Sequence, residues 1–238
     1  MLTITATPRH TGVKISGDYF DLDELNQAIY RVIGDEDDYY HLEGSRMRIL
    51  GVCYEIRHAA QGDRNVESVF NGLHEQVKKQ HGFIAPDKNV YFSAEILWPE
   101  VLYTAIALKN FTKLYRESVE FPEWDIHLPI VHHFQSLILD CLHGHVKEDE
   151  YQVILKAFNQ AASVEDYATQ YVDYFNLQYI KMTKQQREKS LSTIAVKLAN
   201  QDKDYQTFRQ QVLKAATPAK KAIHEIPLQA EYPEQIEW

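Results

Sequence analysis

Residues 89–110 read NVYFSAEILWPEVLYTAIALKN, and this stretch decides the fold class. Its first half alternates apolar and polar residues, as does a strand that buries one face. Pro99 then occupies a position that is favoured in the first turn of a helix. The helix that follows is apolar over most of its circumference as far as Lys109, so we expect it to run through the core. The predicted buried side of the strand consists of Val90, Phe92, Ala94 and Ile96.

Two shorter alternating segments at the start of the chain predict the rest of the sheet. LTITAT (2–7) and GVKIS (12–16) flank a short turn, which indicates an antiparallel hairpin with one buried face. A two-stranded hairpin is marginally stable alone, so the strand near 89–97 is its natural third partner. The buried side chains of this predicted hairpin are Leu2, Ile4, Val13 and Ile15.

The remaining chain has helical periodicity. Asp21 is the predicted N-cap of the first helix and Gly34 its end, and Leu22, Leu25, Ile29 and Val32 form its apolar face. Ser163 and Thr183 are predicted caps of later helices. The further predicted helices cover 45–60, 66–81, 98–118, 129–143, 148–162, 164–180, 184–199 and 203–215.

These elements predict an α+β fold that is predominantly α, with a helical, bundle-like body and a small antiparallel sheet. No linker rich in Gly, Ser or Pro divides the chain, so we expect a single domain over 1–238. The stretch 217–238 has three prolines and no glycine, which excludes one long helix. It is predicted to be an extended tail that packs on the body, or a disordered one.

Composition limits the classes of function. The net charge of −9 argues against a nucleic-acid partner, and no apolar run reaches the roughly 20 residues of a membrane span. With only two cysteines and no signal-peptide pattern, we expect a cytoplasmic protein. The charge is uneven: residues 18–43 have a balance of −8 and residues 181–221 one of +7. We expect these two segments to face each other, within the chain or between copies.

Five of the eleven histidines lie within residues 127–145. Asp140 and His143 are three residues apart on a helix, so they can share one metal ion, with His145 as a third candidate ligand. A catalytic zinc needs three protein ligands in one sphere, and the local sequence supplies two. A solvated helix face is therefore the favoured interpretation, and no metal and no cofactor are expected.

A second polar cluster follows the predicted helix at 45–60. Arg57, His58, Asp63 and Arg64 gather around a turn, and arginine forks suit an anion or an acidic side chain of a partner. The alternative is local capping with a surface ion pair between the arginines and Asp63.

TGVKISGDYFDLDELNQAIYRVIGDE and RILGVCYEIRHAAQGDRNVE together resemble the N-terminal half of an uncharacterised family from Gram-positive bacteria, known as a domain of unknown function. The resemblance covers mainly the first hundred residues. It implies a bacterial cytoplasmic protein, and it implies no activity, cofactor or catalytic residue.

Three functions remain open. The absence of a catalytic motif, the acidic charge and the fifteen tyrosines favour a non-enzymatic protein-interaction protein, such as an adaptor or an immunity-like protein, with an unknown protein partner or a homo-oligomer. The alternative is a metal-dependent hydrolase that uses the histidines of residues 127–145. A nucleic-acid binder acting through residues 181–221 ranks third.

Overall fold

Four antiparallel strands and a body of helices form the structure, a computed structural model that describes residues 1–36, 38–82, 84–228 and 230–238. Helices account for 62% of it, which confirms the predicted class. The strands are β1 (Thr3–Ala6), β2 (Gly12–Gly17), β3 (Asn65–Phe70) and β4 (Lys88–Leu97). The helices are α1 (Tyr19–Ile33), α2 (Glu43–Ala60), α3 (Glu75–His81), α4 (Trp98–Ser118), α5 (His127–His143), α6 (Glu148–Asn159), α7 (Gln170–Lys181), α8 (Lys184–Asn200) and α9 (Lys203–Ala219).

Helix α4 continues directly from strand β4 and passes through the core, as predicted. Trp98, Tyr103 and Phe111 are fully buried on it, and it packs against α1, α2, α5, α7 and α8. Strand and helix therefore form one continuous element that links the sheet to the helical body.

The sheet has the order β1-β2-β4-β3, with every neighbouring pair antiparallel. The predicted hairpin is confirmed, and so is the pairing of its second strand with β4: Ile15 lies opposite both Ile4 and Ala94. The strands approach so closely at Gly12 that a Cβ atom there would lie 2.0 Å from the carbonyl oxygen of Ile96. Glycine is therefore required at this position.

The predicted helix at 66–81 is wrong. Residues 65–70 form strand β3, which pairs with the first half of β4, and only 75–81 are helical. Gly72 adopts a positive φ of 86°, which interrupts any helix across the segment. Val66, Val69 and Phe70 have the spacing of a helix face, but valine and phenylalanine also favour strands. Pairing with β4 stabilises the strand in preference to the helix.

Helix α1 begins three residues earlier than predicted. Its N-cap is Asp18, whose side chain accepts a hydrogen bond from the backbone N–H of Asp21 at 2.9 Å. The Asp21 carboxylate accepts from the backbone N–H of Asp18 at 3.0 Å, so Asp21 closes the capping box. The predicted end at Gly34, the predicted apolar face and the cap at Thr183 are confirmed.

Other helix boundaries also move. α7 begins at Gln170 instead of 164, because Ser163 caps a turn at Glu165 and not a helix. α5 begins at His127, two residues before Pro129, because the Asp125 carboxylate accepts from the first backbone N–H groups.

Further differences concern the helix ends and the face that α5 buries. α6 ends at Asn159 and α9 continues to Ala219. Helical spacing predicts a buried face of α5 made of Ile130, Phe134, Leu137, Ile138 and Cys141, whereas the fully buried residues are Leu128, Val131, Phe134, Ile138 and Leu142.

The last residues lie along the helical body. Gln170 donates hydrogen bonds to the carbonyl oxygens of Ile223 and Ile226, at 2.7 and 2.6 Å. The hydroxyl of Tyr232 donates to Asp173 at 2.7 Å. Because these contacts are made to helix α7, they fix the path of the tail over that helix.

Arg187 fastens the β1–β2 turn to the helices and is only 5% exposed. Its guanidinium donates to the carbonyl oxygens of Tyr179, Ile180 and Arg9, at 3.0, 2.7 and 3.1 Å, and to the hydroxyl of Thr11 at 2.7 Å. This arginine is therefore a structural group, and it does not lie on the solvated basic face that its charge suggested.

Replacing Arg187 by Met should lower the free energy of unfolding by at least about 2 kcal/mol, because each buried acceptor left without a donor costs about 1–3 kcal/mol. Amides of the β1–β2 turn should also exchange faster with solvent. The matched control is Lys184→Met, which removes one exposed hydrogen bond to Pro8. Denaturant unfolding with hydrogen exchange measures both, and equal stability of the two variants would contradict the assignment.

Candidate functional sites

One half of the sheet extends beyond the helices that cover the other half. Ala94 and Ile96, in the second half of β4, are buried on the side that packs against α2. The first half of β4 and its partner β3 present the same side without such cover. Here Val66, Phe70 and Val90 are 52, 48 and 52% exposed. We call residues 65–70 and 88–92 the open sheet end.

The outer edge of the open sheet end is strand β3. It is the last strand in the sheet, and all six of its residues, NVESVF, are exposed. Edge strands are commonly protected by proline, lysine or a bulge, and this segment has neither proline nor lysine. Its outward-facing backbone groups are therefore open to another strand.

The opposite face of the open sheet end is polar. Glu67 forms an ion pair with Lys14 at 2.7 Å, and the hydroxyl of Tyr91 accepts a hydrogen bond from the amino group of Met1 at 2.8 Å. The larger apolar surface thus lies on the other side of the sheet, in continuity with the core, while Val69 is an exposed apolar residue on this polar side.

The predicted cluster after α2 borders this surface, because Gly62 lies next to Phe92 of β4. The Arg57 guanidinium lies 5.6 Å from the ring centre of Tyr54, and the His58 ring lies 4.0 Å from it. The structure thus brings Arg57 and His58 together on one exposed aromatic ring.

The other two residues of the cluster are not drawn into that contact. Arg64 pairs with Glu55 at 2.7 Å and donates to the carbonyl oxygen of Asp63. The turn therefore contains a local ion pair, with Glu55 in place of the predicted Asp63. An anion-binding role for Arg57, His58, Asp63 and Arg64 stays a prediction.

The predicted metal candidates in α5 and just after it make different contacts. The imidazole of His143 hydrogen-bonds Glu148 at 2.7 Å and stacks on Tyr151, with ring centres 4.1 Å apart. His145 packs instead against His10, at 4.7 Å between ring centres. Asp140 is exposed. Among the described residues, no group of three His, Cys, Asp or Glu side chains is arranged to hold a metal ion.

His10 and His145 form a partly buried pair under the β1–β2 turn. Burial lowers the pKa of both imidazoles, and for His10 the neighbouring His145 and Lys184 lower it further against the opposing effect of Glu188. His10 also holds a positive φ of 56°. Sequence reasoning missed this pair, because its members are distant in the chain.

A partly buried charge network joins three helices and the tail. The Arg48 guanidinium on α2 donates to Glu100 on α4 and to Asp173 on α7, at distances that include 2.9 and 2.8 Å. It also donates to the carbonyl oxygen of Thr169 at 3.2 Å. All five of its N–H groups thus have acceptors among these three residues.

The surroundings of Arg48 keep it charged. Burial opposes the charge, but the two carboxylates outweigh it and hold the pKa of the guanidinium well above its ordinary value. Asn176 donates to Glu100 at 2.9 Å, and Tyr232 from the tail donates to Asp173 at 2.7 Å. In the sequence, Arg48 and Glu100 each lie among apolar residues of a helix. This is the signal from which their pairing could have been predicted.

A groove of about 500 Å³ opens beside this network. Its walls combine apolar side chains with Arg48 and three glutamates, among them Glu95, whose pKa is raised by burial. Ile236 and Trp238 of the tail complete the lining. Two of the three glutamates are already engaged, Glu100 by Arg48 and Glu55 by Arg64.

No ion pair among the described residues joins the basic segment 181–221 to the acidic segment 18–43, although Tyr40 and His41 line one cavity together with Arg209 and Lys221. The docking of the two segments therefore stays a prediction. Lys197 pairs instead with Asp204 at 2.7 Å, and Lys184 donates to the carbonyl oxygen of Pro8. The basic side chains are thus satisfied by acceptors nearby.

The thiols and the tyrosines belong largely to the core. Burial raises the pKa of Cys53 to about 12 and that of Cys141 to about 11, and both are free thiols. A group of tyrosines stacks in the interior, which favours a core role for much of the high tyrosine content. These buried rings are Tyr103, Tyr167, Tyr171 and Tyr205, and Tyr179 is buried separately beside Arg187.

Comparison with known proteins gives a family match. A family model described as a domain of unknown function, DUF6904, matches residues 2–238, well beyond the first hundred residues of the resemblance. No curated protein and no solved structure matches the chain. Among the described residues, no helix has both the length and the apolar character needed to cross a membrane.

Replacing Arg48 by Met should lower the free energy of unfolding by at least about 2 kcal/mol, because Glu100 and Asp173, whose side chains are only 16 and 24% exposed, remain partly desolvated without their counter-charge. The control Arg116→Met breaks an exposed pair with Glu123 and should cost at most about 1 kcal/mol. Adding Glu100→Gln and Asp173→Asn to the Arg48 variant should recover part of the loss. Urea unfolding measures these changes in stability. Similar losses of stability in Arg48→Met and in the control would contradict the role given to Arg48.

The stability of the protein should fall as the pH drops below about 6.5, the ordinary pKa of histidine. His10 and His145 have lowered pKa values in the folded state, so the unfolded chain takes up their protons first. The stability that they contribute is therefore complete above that pH and is lost progressively below it. The variant His10→Asn, which tolerates the positive φ, should show a smaller fall between pH 7 and pH 5. Unfolding curves of the wild type and the variant across this range, with pH 8 as reference, test this prediction. The same pH dependence of stability in both proteins would refute it.

Proposed function

The chain belongs to the DUF6904 family, and we propose that it is a non-enzymatic protein-interaction protein that binds its partner through the open sheet end. The observation that carries the proposal is the uncovered continuation of the core face over β3 and the first half of β4. The proposal includes a cytoplasmic location, which the two free thiols support, and the bacterial origin that the sequence resemblance implies.

The physical argument starts from the apolar side chains. Val66, Phe70 and Val90 lie on the core side of the sheet, and each keeps about half of its surface in contact with solvent. Covering apolar surface is favourable, at roughly 25 cal/mol per Å². A contiguous exposed patch that continues the core is therefore a typical mark of a protein-binding surface.

The backbone of β3 adds a second attraction. An extended segment that aligns with this edge gains main-chain hydrogen bonds, while its alternate side chains contact the apolar side of the sheet. Backbone pairing and apolar contact thus act on the same partner segment. Neither requires a catalytic group or a cofactor.

The border of the surface is basic and aromatic. Arg57 and His58 lie on Tyr54 at the end of α2, beside the open sheet end. An arginine next to an apolar patch suits a partner with a carboxylate close to its apolar residues. This arrangement gives the predicted cluster a role in orienting the partner, and the apolar patch supplies the main contact.

The double variant Val66→Thr/Phe70→Thr should lose the bound partner while keeping its fold, because threonine favours strands but removes the apolar contact. The measurement is affinity capture with quantitative mass spectrometry, beside circular dichroism to check the fold. The matched control is Trp124→Thr, which removes an aromatic residue that is 88% exposed in the connection between α4 and α5.

The proposal expects a protein that the wild type and the control capture and the double variant does not. Arg57→Ala should weaken the same capture to a smaller extent. The captured proteins include an untagged copy of the chain, which a tagged bait can distinguish from itself. An identical set of captured proteins, this copy among them, for the wild type and the double variant would overturn the proposal.

A further inference from the structure

We propose that the partner at the open sheet end is a second copy of this chain, which pairs its β3 edge antiparallel with the first about a two-fold axis at Ser68. The inference rests on the proposed function and assigns the occupant of that surface. Two four-stranded sheets then form one sheet of eight strands, β1-β2-β4-β3 continued by β3-β4-β2-β1.

The register follows from symmetry. Residues that face each other across an antiparallel pair lie on the same side of the sheet, so a two-fold axis perpendicular to the sheet passes between two identical residues. Strand β3 covers 65–70, and only axes at Glu67 or Ser68 pair five of its six residues with strand residues of the second copy.

Charge repulsion favours the register with the axis at Ser68 over the one with the axis at Glu67. An axis at Glu67 places two carboxylates directly opposite each other, which destabilises a strand pair. An axis at Ser68 places hydroxyl opposite hydroxyl and sets Glu67 opposite Val69 of the second copy. Glu67 keeps its own counter-charge, because it is already paired with Lys14 of the same chain.

The Ser68 register also joins the two apolar surfaces. Val66 lies opposite Phe70 of the second copy, and the symmetric pair repeats the contact. Aromatic residues opposite β-branched residues are among the favourable cross-strand pairs. Val90, the neighbour of Ser68 on β4, extends each half of the strip on the same side of the sheet. The sequence of β3 is therefore complementary to itself in this register.

The pattern fits a second copy better than an unrelated segment, because one six-residue strand supplies both halves of every pair. Segments of this kind, with high β propensity and without proline, associate readily at exposed edges. The contact is short, so we expect a dimer whose population rises with protein concentration.

A cysteine at the axis tests the register directly. In the Ser68→Cys variant the two Cα atoms face each other at about 4.5–5.5 Å, within the range for a disulfide. Mild oxidation should therefore give a covalent dimer. In the control Asn65→Cys, position 65 lies opposite position 71 of the second copy, and the two cysteines are about 20 Å apart. Oxidation of the wild type shows how much crosslinking Cys53 and Cys141 contribute by themselves.

Dimerisation without a new cysteine is measured by sedimentation equilibrium from low micromolar to near-millimolar concentration. The wild-type mass should rise towards that of a dimer. Ser68→Lys places two ammonium groups opposite each other and should weaken the dimer by about tenfold or more, while the matched change Asn65→Lys should have a smaller effect.

Preferential crosslinking at position 68, together with a rising wild-type mass that Ser68→Lys lowers, supports the inference. A monomeric wild type, or equal crosslinking at 65 and 68, overturns it. Its failure is separate from that of the proposed function, because capture of a different protein through Val66 and Phe70 would leave the surface assigned and exclude the second copy as its occupant.

Discussion

The arrangement of the helices depends on one partly buried cation. Arg48 has all five N–H groups bonded, to Glu100 of α4, to Asp173 of α7 and to the carbonyl oxygen of Thr169 at the start of α7, and its side chain is only 14% exposed. A buried charge is tolerated only when its counter-charges and hydrogen bonds are in place, so the three helices are restricted to orientations that bring these groups together. Tyr232 bonds to the same network, and the path of the tail is thereby tied to the packing of the helices.

The length of β4 is a second constraint, and it links the fold to the proposed function. The strand has ten residues, and its second half is buried against the helical body. Its first half continues the same alternation beyond that cover and pairs with β3, so a core-like face reaches solvent at the open sheet end. An exposed continuation of the core of this kind suits a partner.

The histidines and basic residues that are prominent in the composition have their partners close by in the structure. His143 is engaged by Glu148 and Tyr151, and Lys197 is engaged by Asp204. Arg187 serves the backbone of the β1–β2 turn. Because exposed charged groups interact over short distances at physiological ionic strength, nearby partners outweigh long-range complementarity between segments.

The sequence by itself determined the class of fold and most of its core. Alternation predicted the hairpin and β4, and the helical spacing of Leu22, Leu25, Ile29 and Val32 predicted the buried face of α1, because burial of a regular element imposes its own period. Capping signals placed Thr183, but they misplaced the start of α1, where several neighbouring aspartates compete for the same role.

Only the tertiary structure decided the state of residues 65–70, the partners of Arg48 and the approach of His10 to His145. The valines of β3 are compatible with a helix or a strand, and the free backbone groups of β4 select the strand. Arg48 and Asp173 are 125 positions apart, and His10 and His145 are even more distant. A local pattern carries no information about such contacts, because they arise when the packed chain brings remote segments together in a medium where an unpaired charge is costly.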